Sequence, residues 1–90
     1  MSKPSYLAPR HGADRFHSTE QQRHVRIWAE CEGGDVRHLR IERGDLVGML
    51  TLGDRMTPFR TRADKAFGWR ARTRTKGAVR RAFERLRWMK

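Results

Sequence analysis

The stretch HVRIWAECEGGDVRHLRIERGDLVGMLTL, residues 24–52, decides the fold of this 90-residue chain. Within residues 24–31 every second side chain is apolar, which is the period of a strand with one buried face. Two more segments rich in apolar residues follow at 36–43 and 46–52. The sequence therefore predicts a small three-stranded antiparallel sheet over about residues 24–52.

Glycine-containing breaks separate these three segments. Gly33-Gly34-Asp35 has the flexible residues that a hairpin turn needs, and Arg43-Gly44-Asp45 is a second candidate turn. Gly53-Asp54 closes the third segment. The spacing of the breaks fits a meander, in which each strand pairs with the next one along the chain.

A helical alternative exists for two of the predicted strands. Ser18 followed by Gln21 resembles a helix N-cap signal, and Gly33 would end a helix that began there. Asp45 would likewise cap a short helix through Leu50. The β-branched residues of the first segment favour a strand there.

The N-terminal end reads differently from the rest of the chain. Residues 1–22 contain two prolines and a glycine, and their apolar residues show no periodicity. This composition predicts a disordered or extended tail. Residues 23–90 are then a single small α+β domain, because a chain of this length supports one hydrophobic core at most.

Two helices are predicted after the sheet. Thr57-Pro58 is a typical helix start, and apolar residues follow it at helical spacing through Phe67. Residues 69–75 alternate like a strand. A final helix over residues 75–89 has one apolar stripe, formed by Val79, Ala82, Phe83, Leu86 and Met89. The sequence thus predicts an α+β fold in which one or two C-terminal helices pack on the sheet.

Positive charge is concentrated at the C-terminal end. Residues 1–22 carry a net charge of +1, and residues 23–56 are neutral. Residues 57–90 hold twelve Lys or Arg against two acids, so they account for +10 of the +11 on the whole chain. A charge this uneven predicts an anionic partner for the basic segment 57–90.

Arg70, Arg72 and Arg74 form an alternating row of cations. If this stretch is extended, the three side chains lie about 6.6 Å apart on one face, close to the step between phosphates of a nucleic-acid strand. On the final helix, Trp88 points away from the apolar stripe. An exposed aromatic ring beside arginines is a candidate for stacking on a base, and also for packing under the tail or against a protein partner.

The main functional prediction is a non-catalytic nucleic-acid-binding protein, for DNA or RNA, that contacts mainly phosphates. The predicted binding residues are Arg60, Arg62, Arg70, Arg72, Arg74, Lys76, Arg80, Arg81, Arg85, Arg87 and Trp88. An alternative is a small inhibitor or accessory protein whose Arg/Trp face docks on an acidic protein surface, since the same residues are enriched at interface hot spots.

Other classes of protein receive little support from the sequence. The acids are scattered and no phosphate-cradling or nucleophile motif occurs, so no enzyme and no cofactor are predicted. His24, Cys31 and His38 would meet at a metal only if two strands paired in one particular register, and no metal is predicted. No apolar run has the length of a membrane span or a signal peptide, so we expect no membrane partner and a cytoplasmic location.

Residues 75–86, TKGAVRRAFERL, are similar to the last helix of double-stranded RNA-binding domains. The likeness covers about a dozen residues of common types. The leading helix that such a domain requires is not evident in the sequence, so no family is assigned from this likeness.

Overall fold

The computed structural model describes residues 10–89, with side chains from residue 19 onward. The order of elements is α1 (Arg10–Cys31), β1 (Asp35–Glu42), β2 (Asp45–Leu52), β3 (Arg55–Arg62) and α2 (Trp69–Trp88). The three strands form one antiparallel sheet in the order β1-β2-β3. The predicted α+β class and the three-stranded antiparallel meander are confirmed.

One of the two predicted turns is confirmed and the other is wrong. Arg43-Gly44-Asp45 contains a two-residue hairpin loop, whereas Gly33-Gly34 connects α1 to β1 and forms no hairpin. Gly53-Asp54, which was predicted only to close the third segment, is also a two-residue hairpin loop. Arg43-Gly44 joins β1 to β2, and both residues have positive φ, 53° and 82°. Gly53-Asp54 joins β2 to β3, with φ of 66° at Gly53. These conformations match the right-handed twist of the flanking strands, so each loop sets the register of the pairs next to it. The β1–β2 register shifts by one residue at an irregularity between Arg37 and Arg40. The alternative short helix from Asp45 is wrong, because these residues form β2.

The first predicted strand, residues 24–31, is wrong: this segment is the end of α1. Val25 and Ala29, four residues apart, are fully buried, whereas Ile27 is 48% exposed. One helical face is therefore buried instead of every second residue. The helical alternative was right about the end at Gly33, whose φ of 86° suits the residue after a helix. The sheet spans residues 35–62 and not 24–52.

The prediction of a disordered or extended tail is wrong for residues 10–22. Residues 10–22 belong to α1, which begins at Arg10 and not at Ser18. The remaining residues of the predicted tail, 1–9, lie outside the described residues. The leading helix that the sequence did not reveal is thus present in front of the sheet.

The helix predicted after Thr57-Pro58 is wrong as well, because residues 55–62 form β3. Thr57, Phe59 and Thr61 are buried and the residues between them are exposed, which is the period of a strand. Pro58 is tolerated because β3 is an edge strand that pairs only with β2. The apparent helical spacing from Phe59 to Phe67 therefore runs across the end of a strand and the loop that follows.

The final helix is confirmed but begins six residues earlier than predicted. α2 starts at Trp69 and ends at Trp88, so Met89 lies beyond it. Val79, Ala82, Phe83 and Leu86 are buried as predicted. Thr75 and Ala71 extend the buried stripe one and two turns upstream of Val79, which explains why residues 69–74 are helical and not extended.

Both helices pack on the same face of the sheet. Val25 and Ala29 of α1, together with Val79, Phe83 and Leu86 of α2, form one buried cluster with the inward residues of the strands, namely Val36, Leu46, Leu50 and Phe59. Gly34 lies at the centre of this packing. A Cβ there would come within 2.5 Å of Phe83 Cε1 and would also collide with the carbonyl of Thr51, so only glycine fits.

Candidate nucleic-acid interface

The arginines at positions 70, 72 and 74 do not form a row. They lie in the first turns of α2, where side chains two residues apart point about 200° away from one another. The prediction that they share one face with a spacing of about 6.6 Å is therefore wrong. Each of the three arginines therefore has different surroundings.

Three of the predicted binding residues are neutralised inside the domain. Arg74 pairs with Asp64 at 2.6 Å, in the loop before α2. Arg87 pairs with Glu32 at 2.7 Å and also donates to the Glu32 carbonyl at 3.1 Å. Arg60 is bound by two acids of β1 and β2, Glu42 and Asp45. These arginines offer less charge to a partner than their number suggests.

Seven other predicted cations are exposed and have neither a hydrogen bond nor an ion pair from their side chains among residues 19–89. They are Arg62, Arg70, Arg72, Lys76, Arg80, Arg81 and Arg85. Six of the seven belong to α2, and Glu84 is the one acid in that helix. Arg62 alternates with buried Thr61 on β3, so its side chain leaves from the sheet face opposite the helices. The structure therefore brings six free cations together on α2.

The free cations of α2 lie on two flanks of the helix. Arg72, Lys76 and Arg80 follow one another at intervals of four residues, about 6 Å along the axis. Arg72 and Lys76 line a groove together with Trp28 of α1. Arg81 and Arg85 lie on the other flank, where they line a small cavity of about 120 Å³ beside Pro58 of β3. A partner that spans α2 would meet positive charge on both sides.

The first flank continues into an aromatic groove between the two helices. Trp28, Trp69, Arg72, Thr73 and Lys76 line a groove of about 280 Å³. Trp28 is half-buried against the core. Trp69 is 70% exposed. Sequence reasoning missed Trp69, because an extended segment would have placed it opposite the arginines; a helix beginning at Trp69 puts Arg72 one turn away.

The rings of His24, Trp28 and Phe67 form an aromatic cluster beside the groove. The ring of His24 lies 5.4 Å from that of Trp28 and 5.3 Å from that of Phe67, between centroids. His24 Nδ1 also lies 2.9 Å from the Glu20 carbonyl oxygen. These contacts join α1 to the loop before α2, so the wall formed by Trp28 is held in place by packing.

Glu20 lies one helical turn before His24 of this cluster, and its carboxyl is ionised at neutral pH. A hydrogen bond from the Arg23 guanidinium holds the pKa of the Glu20 carboxyl below its usual value, and the positive charges of Arg23, His24 and Arg72 act in the same direction, against the opposing effect of desolvation. Glu20 therefore partly offsets the field of Arg72 at neutral pH. Glu84 lies one turn after Arg80 on α2, and no ion pair joins the two side chains.

Trp88, the predicted stacking residue, is 83% exposed near the C-terminal end of α2. Arg85 lies one turn before it. Trp88 is about 28 Å along the helix from Trp69, since the two are nineteen residues apart. The two exposed tryptophans are therefore separate candidates for contact with a partner.

Within residues 19–89, no three His, Cys, Asp or Glu side chains gather closely enough to hold a metal ion. Over residues 10–89, neither helix is both long and apolar enough to cross a membrane. The chain matches no family model, no curated protein and no solved structure.

Proposed function

We propose that this protein binds nucleic acid without catalysis, mainly at the phosphate backbone, through the free cations of α2. The observation that carries the proposal is the group of six exposed cations on this one helix that have no ionic partner among the described residues. Arg74 and Arg87, by contrast, are paired with acids of the domain. A concentrated group of unpaired cations is the electrostatic feature expected of a surface that meets an anionic partner.

A nucleic acid suits this arrangement because its charge is repeated along its length. Duplex DNA carries about one negative charge per 1.7 Å of axis, so cations on both flanks of a helix each find a phosphate. Phosphate contacts of this kind supply affinity with little sequence selection. An acidic protein surface remains the alternative partner, and the salt dependence of binding distinguishes the two.

Double-stranded RNA is the first duplex to test. Residues 75–86 are similar to the last helix of double-stranded RNA-binding domains, and the leading helix that this likeness requires is present as α1. Domains of that class recognise a duplex mostly by its shape and by contacts with phosphates and 2′-hydroxyls. This likeness is the reason for using an RNA duplex as a probe. It does not assign the chain to a family.

The test is the affinity for a labelled 16-base-pair RNA duplex and the matching DNA duplex over a range of salt concentrations. Wild type should bind with a log affinity that falls linearly with log salt, with a slope near −0.9 for each phosphate contacted. Changing Arg80, Arg81 and Arg85 together to Gln should make the slope shallower by about three and weaken binding about equally for all sequences.

A matched control removes the same amount of charge elsewhere. Arg26, Arg37 and Arg43 are exposed, have no ionic partner in the described chain and lie outside α2. The variant Arg26→Gln, Arg37→Gln, Arg43→Asn should retain the wild-type slope. Equal losses in the two triple variants would show that only net charge matters. Binding to an acidic protein with no response to either duplex would overturn the proposal.

A further inference from the structure

The groove between α1 and α2 is lined by an exposed tryptophan and by two cations that have no partner among the described residues. Trp69 presents an indole that is 70% exposed and makes no ring contact with any residue from 19 to 89. A large aromatic surface left in water gains nothing for folding. Trp28 forms the opposite wall and is fixed by His24 and the core.

Two free cations line the same groove. Arg72 and Lys76 are one helical turn apart, both are exposed, and neither has a hydrogen bond or ion pair from its side chain among the described residues. Thr73 also lines the groove and is exposed. The groove is therefore aromatic on its walls and positive along one side, and no acid of the described chain lines it.

We propose that this groove holds an unpaired nucleotide, with the base against Trp69 and the adjoining phosphate at Arg72 and Lys76. The proposal rests on the proposed function and specifies one site within it. Aromatic side chains accept any base by stacking, and flanking cations track the backbone of an unpaired strand. The volume of about 280 Å³ suits one nucleotide and not a stack of several.

The composition of the walls argues against other ligands. A methylated ammonium group would use the two tryptophans, but Arg72 and Lys76 would repel it. An acidic peptide would pair with the two cations and leave the face of Trp69 without a partner. A nucleotide uses both, because its base is planar and apolar on its faces and its phosphate is an anion.

The test compares Trp69→Ala with Trp88→Ala on an unpaired and a paired probe. Trp88 is the matched control: it is on the same helix, equally large and 83% exposed, but about 28 Å away. The probes are a labelled eight-nucleotide single strand and a blunt 16-base-pair duplex. Trp69→Ala should weaken binding of the single strand by about 5- to 100-fold and that of the blunt duplex by less than about 2-fold. Trp88→Ala should change the affinities for the single strand and for the duplex by about the same factor, because Trp88 does not line the groove.

A conservative variant adds a readout that separates stacking from a structural role. Trp69→Phe keeps an aromatic face, so it should restore most of the single-strand affinity. It also removes one of the two indoles that line the groove, so the quenching of tryptophan fluorescence on adding the single strand should fall, and the quenching that remains should come from Trp28. Restored affinity together with unchanged quenching would show that the base lies against another tryptophan and would overturn the proposal.

The remaining outcomes distinguish failure of this site from failure of the proposed function. If Trp69→Ala binds the single strand as tightly as wild type while duplex binding shows its expected salt dependence, the groove is not a nucleotide site but the phosphate-binding face stands. The groove is likewise excluded if Trp88→Ala causes the larger loss. If wild type binds neither probe, both proposals fall.

Discussion

The side-chain amide of Gln21 donates a hydrogen bond of 2.9 Å to the hydroxyl of Thr75, joining two helices across 54 positions of the chain. The same amide nitrogen donates to the Arg62 carbonyl at 2.7 Å, and the amide oxygen accepts from the backbone N–H of Asp64 at 3.3 Å. Gln21 is fully buried. It therefore fixes α1, the end of β3 and the start of α2 relative to one another, and with them the two walls of the groove.

Replacing Gln21 by Leu should destabilise the domain by about 2–4 kcal/mol, because the buried groups that it satisfies lose their partners. The urea midpoint of unfolding, followed by circular dichroism, measures the loss. A double-mutant cycle with Thr75→Val isolates the bond between the two side chains, and additive effects would contradict the coupling.

Gly34→Ala should prevent stable folding or cost at least about 3 kcal/mol, since the added methyl group would collide with the Phe83 ring and the Thr51 carbonyl. Thermal unfolding checks this. A midpoint within a few degrees of wild type would mean that the α1–β1 connection moves aside at little cost.

Gly77→Ala should have the opposite effect and stabilise the domain by about 0.5–1 kcal/mol. Gly77 lies inside α2, where alanine is the better helix former, and the nearest atom to an added Cβ is the end of the Arg81 side chain at 3.5 Å. The expected rise in melting temperature is about 2–8 °C. No rise, or a fall, would indicate that α2 is held by packing that a methyl group disturbs.

Arg55→Gln should weaken the last turn of α2. The Arg55 guanidinium donates to the Leu86 carbonyl at 2.8 Å and lies within 3.4 Å of the carbonyl oxygens of Arg87 and Met89. A cation at the C-terminal end of a helix also favours the dipole, so we expect a loss of about 1–2 kcal/mol. Hydrogen exchange should accelerate first in the amides of residues 85–89, with little change near Trp69.

Arg74→Gln should weaken nucleic-acid binding less than Arg70→Gln does. The two arginines are four residues apart on α2, but Arg74 is already paired with Asp64 and Arg70 is free among the described residues. Asp64→Asn should release Arg74 and steepen the salt dependence by up to about one phosphate contact. Equal effects of the two arginine variants would mean that the Arg74–Asp64 pair opens when nucleic acid binds.

The sequence predicted the features that depend on local chemistry. The loops at Arg43-Gly44 and Gly53-Asp54 need residues that tolerate positive φ, and few residues other than glycine do so readily. The stripe from Val79 to Leu86 is long enough for the helical period to be unambiguous. The concentration of charge after residue 57 is likewise a property of the residue list, independent of the fold.

Only the tertiary structure decided the type of the shorter segments. Residues 24–31 fit a strand and a helix almost equally well over eight positions, and packing of Val25 and Ala29 against the sheet selects the helix. The tertiary structure also decided which cations are free. Glu32 and Arg87 meet across 55 positions of the chain, and Asp45 meets Arg60 across two strands, and no local pattern encodes either distance. The groove beside Trp69 was likewise decided by the tertiary structure, because its two walls come from helices that are separated along the chain by all three strands.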